Sequence, residues 1–213
     1  MNCSGKLNNV WNKIPLSDYE FHMSHELVGQ LQLQNHLTKK YLDIIKPKCV
    51  LFVGVAGGNG LEHVDKSVTK EVVCVDINEN FLIMTNQRYG GLFDKLLLCH
   101  LDITQNEPEV CQADMIWGSL IIEYAGIHES IRFFNKNIKL QGHLIITIQS
   151  DNGVHSISDT GVEVIKKLGT VFNIVDTHIL EENLIQNGFE RQCYEENFLK
   201  SGKSLKTFHY QKK

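Results

Sequence analysis

Short apolar runs recur along the chain and alternate with stretches of helical periodicity. CVLFV (Cys49 to Val53), EVVCV (Glu71 to Val75), KLLLCHL (Lys95 to Leu101), ADMIWGSL (Ala113 to Leu120) and HLIITIQ (His143 to Gln149) read as strands. GLEHVDKS, NENFLIMTNQRY and HESIRFFNKNI, which lie between them, read as helices. Strands that are apolar almost throughout, separated by helices, predict a parallel sheet covered on both faces. Ahead of them, SHELVGQLQLQNHLTKKYLDII predicts one helix from Ser24 to Ile45, with Ser24 as N-cap, Leu33, Leu37, Tyr41 and Ile45 on one face and Pro47 as the stop. The end of the chain changes pattern. A helix over His178 to Gln186 stops at Asn187-Gly188, and ERQCYEENFL and SLKTFHYQ, joined by KSGK, form a hairpin. The terminal run KSGKSLKTFHYQKK alternates like an edge strand protected by lysines. Residues 151–175 exceed an ordinary connection. They are expected to form a lid insertion, with SDTGVEVIKKLG as one helix.

The chain has 213 residues, of which 42% are hydrophobic, enough for one well-filled core, so residues 1–213 are read as a single domain with a helical leader over 1–46. A net charge of −4 points away from a nucleic-acid backbone as the main partner. None of the six cysteines forms a C-x-x-C pair, and Cys49, Cys74 and Cys99 sit inside strand-like runs as small hydrophobes. The start, MNCSGKLNNV, is too polar for a secretory signal, and no apolar run has the length of a membrane span. The expected location is cytoplasmic, with reduced thiols.

GVAGGNG, directly after the first strand, is nearly devoid of side chains. Glycines there serve positive φ angles and close approach, either to a ligand or within a tight turn that binds nothing. The spacing does not fit G-x-G-x-x-G, which weighs against a nicotinamide dehydrogenase. It fits G-x-[G/A]-x-G-x-G through Gly54, Ala56, Gly58 and Gly60. Asp76 ends the second strand beside this loop, where a carboxylate can accept both hydroxyls of a ribose. Its alternative role is a helix cap, although Asn78 can cap that helix unaided. Asp102 ends the third strand and is either an acceptor for an adenine amino group or a turn residue before Thr104.

The order GVAGGNG, VVCVD, HLDIT, ADMIWGSL, QGHLIITI and a final hairpin resembles the class I S-adenosylmethionine-dependent methyltransferases from about Cys49 onward. The resemblance implies an α/β, doubly wound, mostly parallel seven-stranded Rossmann-like sheet in the order 3-2-1-4-5-7-6, with strand 7 antiparallel. It implies S-adenosyl-L-methionine as cofactor. Gly54, Val55, Ala56 and Gly58 would pass its methionine end, Asp76 would hold the ribose, and Ile77 would pack on adenine. Asp102 and Ile103 would bracket the far side of the base, and Ser119 would face the methionine moiety. The chain departs from the pattern twice. Phe52 stands where an acidic residue is usual, and Ala56 replaces a glycine.

The implied function is methyl transfer to a small-molecule acceptor, by in-line displacement and without a metal. The alternative is a non-catalytic S-adenosylmethionine-binding protein or partner subunit, which the Phe52 departure leaves open. The D/N-P-P-Y motif of many amide and nucleobase N-methyltransferases is absent, since strand 4 ends WGSLIIEY. Aminopropyl transfer usually wants an acid where Gly118 and Ser119 stand. His22, Glu123 and Tyr124 are the candidates for acid–base or positioning work. For Glu123 the competing role is a solvated helix start. The segment DYEFHMSHE, with Tyr19, His22, Met23 and His25, is expected to fold over the cofactor.

Overall fold

A computed structural model describes residues 9–105, 108–150, 152, 153 and 155–213. The sheet has seven strands: β1 (Cys49–Val53), β2 (Glu71–Asp76), β3 (Leu96–His100), β4 (Ala113–Ser119), β5 (Ile138–Gln149), β6 (Phe189–Phe198) and β7 (Ser204–Lys212). Their order is β3-β2-β1-β4-β5-β7-β6. The first five run parallel, and β7 is antiparallel to both β5 and β6. This is the sheet that the sequence implied. It also corrects the reading of the terminal run: β7 is internal, and β6 is the edge.

The apolar strands are apolar because both faces are covered. Leu51 and Val53 of β1 join Phe134, Leu144, Leu180 and Leu184 in a core on one face. Helices α5 (Ile127–Asn137) and α7 (Thr177–Gln186) supply that cover. Val50 and Phe52 face the other way, where Leu37, Tyr41 and Leu42 of α2 (Gln30–Ile45) close the second core with Trp117. The alternation along β1 therefore sorts residues between two interiors rather than between core and water. Phe52 is core, 2% exposed.

The N-terminal helix divides in two. Helix α1 (Leu16–Ser24) follows Pro15, and α2 begins after Gly29, which takes φ 64. Ser24 is thus the last residue of α1 and not a cap, because the chain turns over Glu26 to Gly29. Lys46 caps the end of α2 at φ 50, and Pro47 follows. The expected helix at GLEHVDKS is a single 3-10 turn, Leu61–His63. Helix α3 (Glu79–Tyr89) starts as expected from Asn78, whose side chain accepts from the N–H groups of Asn80 and Phe81. Past β4 comes one turn, α4 (Ile122–Ala125). SDTGVEVIKKLG does not make one helix. It gives only the turn α6 (Glu163–Lys166) running into a 3-10 turn to Thr170. Ile165 and Leu168 from there pack with Ile14, Leu16 and Phe81, so the leader, the 155–172 segment and α3 share a third apolar cluster. That cluster lies over the carboxyl ends of the strands.

Candidate active site

The loop after β1 is held by its neighbours rather than by its own sequence. The N–H groups of Gly54 and Val55 both donate to the Val75 carbonyl at the end of β2. Thr85 Oγ1 donates to the Ala56 carbonyl at 2.8 Å, and Arg88 donates to the Gly57 carbonyl at 3.0 Å. Ala56 sits at φ 48, a left-handed conformation that costs an L-residue about 1–2 kcal/mol. Bonds at both its N–H and its carbonyl fix that conformation.

The glycines divide by role. Gly54 (φ 72) lines the cavity at the carboxyl edge of the sheet. Gly57, Gly58 and Gly60 are bare because protein fills the space. A Cβ on Gly57 would meet Glu20 and Arg88, one on Gly58 would lie 2.6 Å from Tyr89, and one on Gly60 would lie 2.6 Å from Thr38 Cγ2. Gly60 also needs φ 94. Gly60→Ala should therefore cost about 2–4 kcal/mol in a urea melt, from left-handed strain plus overpacking. The folded fraction should keep its ligand affinity, because Gly60 does not line the cavity. A loss below about 0.5 kcal/mol, the range of a neutral surface change, would contradict this packing account.

The cavity runs along the carboxyl edge of the sheet and holds about 210 Å³, far beyond the roughly 10–15 Å³ that one water needs. Seven of the nine residues expected around the cofactor line it: Gly54, Ala56, Asp76, Ile77, Asp102, Ile103 and Ser119. Val55 and Gly58 do not. Val55 is buried with the α2 face, and Gly58 backs onto Tyr89.

Asp76 is 7% exposed. Its Oδ2 accepts from the Ala56 N–H at 2.8 Å and its Oδ1 from the Asn78 N–H at 2.9 Å. Burial pushes its carboxyl up to about 6, against the pull of N–H donors at Asn78, Ala56 and Ile77. Beyond these donors the carboxylate keeps acceptor capacity for a ligand. Asp102 accepts from both the N–H and the hydroxyl of Thr104 through Oδ1, which is the turn role weighed for it, and it still faces the cavity. Ser119 Oγ is buried with no partner among the described residues, at the point where β4 opens into the cavity.

The leader and the 155–172 segment form the opposite wall. Trp11, Tyr19, His22 and Met23 line it, as do Ile157, Ile165, Leu168 and Phe172. Phe81, Tyr19, Trp11, Tyr124 and Phe172 form a chain of ring contacts with centroids 4.9–5.9 Å apart. Trp11 and Phe172 were not legible as site residues, since neither NNVWNK nor GTVFNI carries a motif that marks a site.

The three acid–base candidates separate. His22 lines the cavity, and its Nδ1 lies 2.7 Å from Thr160 Oγ1. Burial, with Lys203 and His25 nearby, lowers it to about 4, so it is neutral at pH 7. Tyr124 lines the cavity, and burial raises its hydroxyl well above the usual tyrosine range. Glu123 does neither what a base nor what a solvated helix start would do. It is fully buried behind the wall, with Oε1 accepting from the Gln149 N–H at 2.7 Å and Oε2 unpartnered among the described residues. Burial pushes it up to about 7. His25 instead ends α1, where its ring accepts from the Leu27 N–H.

No family model matches the sequence, and no curated protein matches it. Solved structures do. Magnesium protoporphyrin IX methyltransferase (ChlM) from Synechocystis PCC 6803, with bound S-adenosylhomocysteine, superposes with a TM-score of 0.70 at 12% identity, over 95% of this chain and 96% of that one. The N-methyltransferase NodS from Bradyrhizobium japonicum WM9 gives 0.64 at 12% identity over 87% of each chain. The [4+2]-cyclase SpnF gives 0.66 at 14% identity, over 85% of this chain and 81% of that one. At such identities the likeness is one of fold, and the cyclase shows that this fold is not confined to one reaction. The chain has the fold of the class I S-adenosylmethionine-dependent methyltransferases.

Proposed function

We propose that the chain is an enzyme that binds S-adenosyl-L-methionine in this cavity and transfers its methyl group to a small-molecule acceptor, without a metal. The observation that carries the reading is the convergence, on one cavity, of a bare loop end (Gly54, Ala56), two strand-end acids (Asp76, Asp102) and the unpartnered Ser119 hydroxyl. These groups fit the cofactor. The remaining acceptor capacity of Asp76 suits ribose hydroxyls, Ile77 and Ile103 offer apolar surface to a base, and the orphaned Ser119 Oγ calls for a polar ligand atom.

When bound, the cofactor supplies a methyl group on an activated sulfonium. The chain then has to bind, orient and keep water out. Trp11, Tyr19 and Tyr124 give an aromatic wall that favours a cation and shields it. His22, kept neutral and weakly basic by burial, serves to orient the acceptor: in the tautomer whose Nδ1–H donates to Thr160 Oγ1, its Nε2 accepts a hydrogen bond from the acceptor. Tyr124, held protonated, orients the acceptor by hydrogen bonding. In this reading the described leader ahead of α2 and residues 155–172 act as cover. Location in the cytoplasm fits the unpaired thiols of Cys49, Cys74, Cys99, Cys111 and Cys193, and no described helix is long and apolar enough to cross a membrane.

The test is a calorimetric titration with S-adenosylhomocysteine and, separately, NAD. Saturable binding of the first and none of the second is expected. Tight NAD binding with no response to S-adenosylhomocysteine would overturn the cofactor. A chain that binds S-adenosylhomocysteine yet releases none from S-adenosylmethionine across a broad acceptor panel would instead be the non-catalytic binding protein.

A further inference from the structure

Along the carboxyl edge of the sheet, the groups facing the cavity change sign. Asp102 and Asp76 stand at the β3 and β2 end, Gly54 and Ser119 in the middle at β1 and β4, and Gln149 at the end of β5. Beyond them, immediately before β7, stands Lys203. It is 3% exposed. Among the described residues its Nζ makes one hydrogen bond, to the Ser156 carbonyl at 2.7 Å, and no carboxylate pairs with it. The same carbonyl also accepts from Gln149 Nε2 at 3.1 Å, so it does not depend on the lysine. A buried ammonium without an acid costs stability, and natural cores avoid one unless something pairs with it.

We propose that Lys203 binds a carboxylate on the methyl acceptor, and hence that the acceptor is a small aromatic or apolar acid. This rests on the methyl-transfer reading of the same cavity. Strand order argues against the cofactor's own carboxylate as the partner. Lys203 lies three strand spacings from the loop after β1, about 14 Å at roughly 4.8 Å each. Charge argues for a carboxylate over a phosphate. One ammonium, with two N–H groups left and no arginine lining the cavity, matches a monoanion. The ring contacts of Trp11, Tyr124 and Phe172 supply the wall for the rest of the molecule. Burial lowers the ammonium to about 8, which leaves it mostly charged at neutral pH.

The experiment titrates the full chain, with and without saturating S-adenosylhomocysteine, with benzoate, phenylacetate and 3-phenylpropanoate and with their primary amides as probes. The best-fitting acid should bind at least tenfold tighter than its amide. Lys203→Met should erase that preference, keep S-adenosylhomocysteine affinity within about twofold, and raise the melting temperature by a few degrees, because it removes a buried charge. Equal binding of acids and amides, failure of every acid to bind, or a preference that survives in Lys203→Met overturns the proposal. A tenfold loss of S-adenosylhomocysteine affinity in Lys203→Met also overturns it, by giving the lysine to the cofactor. Failure of the wild type to bind S-adenosylhomocysteine would instead sink the methyl-transfer reading, and the acid–amide comparison in the cofactor-free protein would still decide for or against Lys203.

Discussion

Asp76→Ala should lose both stability and ligand affinity, and the two losses have separate origins in the structure. The carboxylate accepts the N–H groups of Ala56 and Asn78 in a nearly dry site. Each buried N–H left without a partner costs about 1–3 kcal/mol, so the urea midpoint should report a loss of roughly 2–4 kcal/mol. Asn78 still caps α3 through its own side chain, so α3 itself survives. The folded protein that remains should bind S-adenosylhomocysteine about a hundredfold more weakly, or ~3 kcal/mol, because two ribose acceptors are gone and the Ala56 backbone is released. Asp76→Asn should be milder in stability, since a neutral amide keeps one N–H partner and no longer buries a charge. Its affinity should lie between the other two. Calorimetry on folded Asp76→Ala decides the matter. Normal affinity would leave the carboxylate as a clamp on the loop alone.

The strands were legible because a parallel strand buried on both faces announces itself: CVLFV and EVVCVD carry no outward polar side to confuse with a helix. Asn78 was legible as a cap because its role is local. What was not legible depends on partners distant in sequence. GVAGGNG looks like a cradle throughout, yet Gly58 and Gly60 are bare for Tyr89 and Thr38. The break at Glu26 to Gly29 was hidden because apolar spacing continues across it, and only Gly29 marks it. Lys203 reads as a turn lysine in KSGK. It becomes a cavity residue only because β7 inserts between β5 and β6. Glu123 looks like an exposed helix start, but Asn173 closes over it, with both its N–H and its side-chain amide donating to the Glu123 carbonyl.

Glu123 should accordingly govern how stability changes with pH. Its carboxyl is fully buried and rises from 4.5 to about 7 on folding. A raised folded value means that the native state holds the proton more tightly than the unfolded chain. Between about 4.5 and 7 the native state therefore carries more protons, and stability falls as pH rises through that window. At 1.36 kcal/mol per pH unit the group removes about 3 kcal/mol by pH 8. Asp76, raised to about 6, adds a decline of the same sign that ends lower. Glu123→Gln keeps an oxygen for the Gln149 N–H and cannot ionise. Any cost of placing its amide nitrogen is the same at every pH and adds nothing to the variant's pH slope. Urea melts at pH 5.5 and pH 8 should show the wild type losing roughly 2 kcal/mol more than Glu123→Gln across that interval. Equal slopes for the two proteins would mean that Glu123 ionises as readily in the folded chain as in the unfolded one, and that water reaches Oε2. With the proton retained near neutrality, the Glu123 side chain braces the end of β5 beside Gln149, at the back of the wall where the acceptor is proposed to bind.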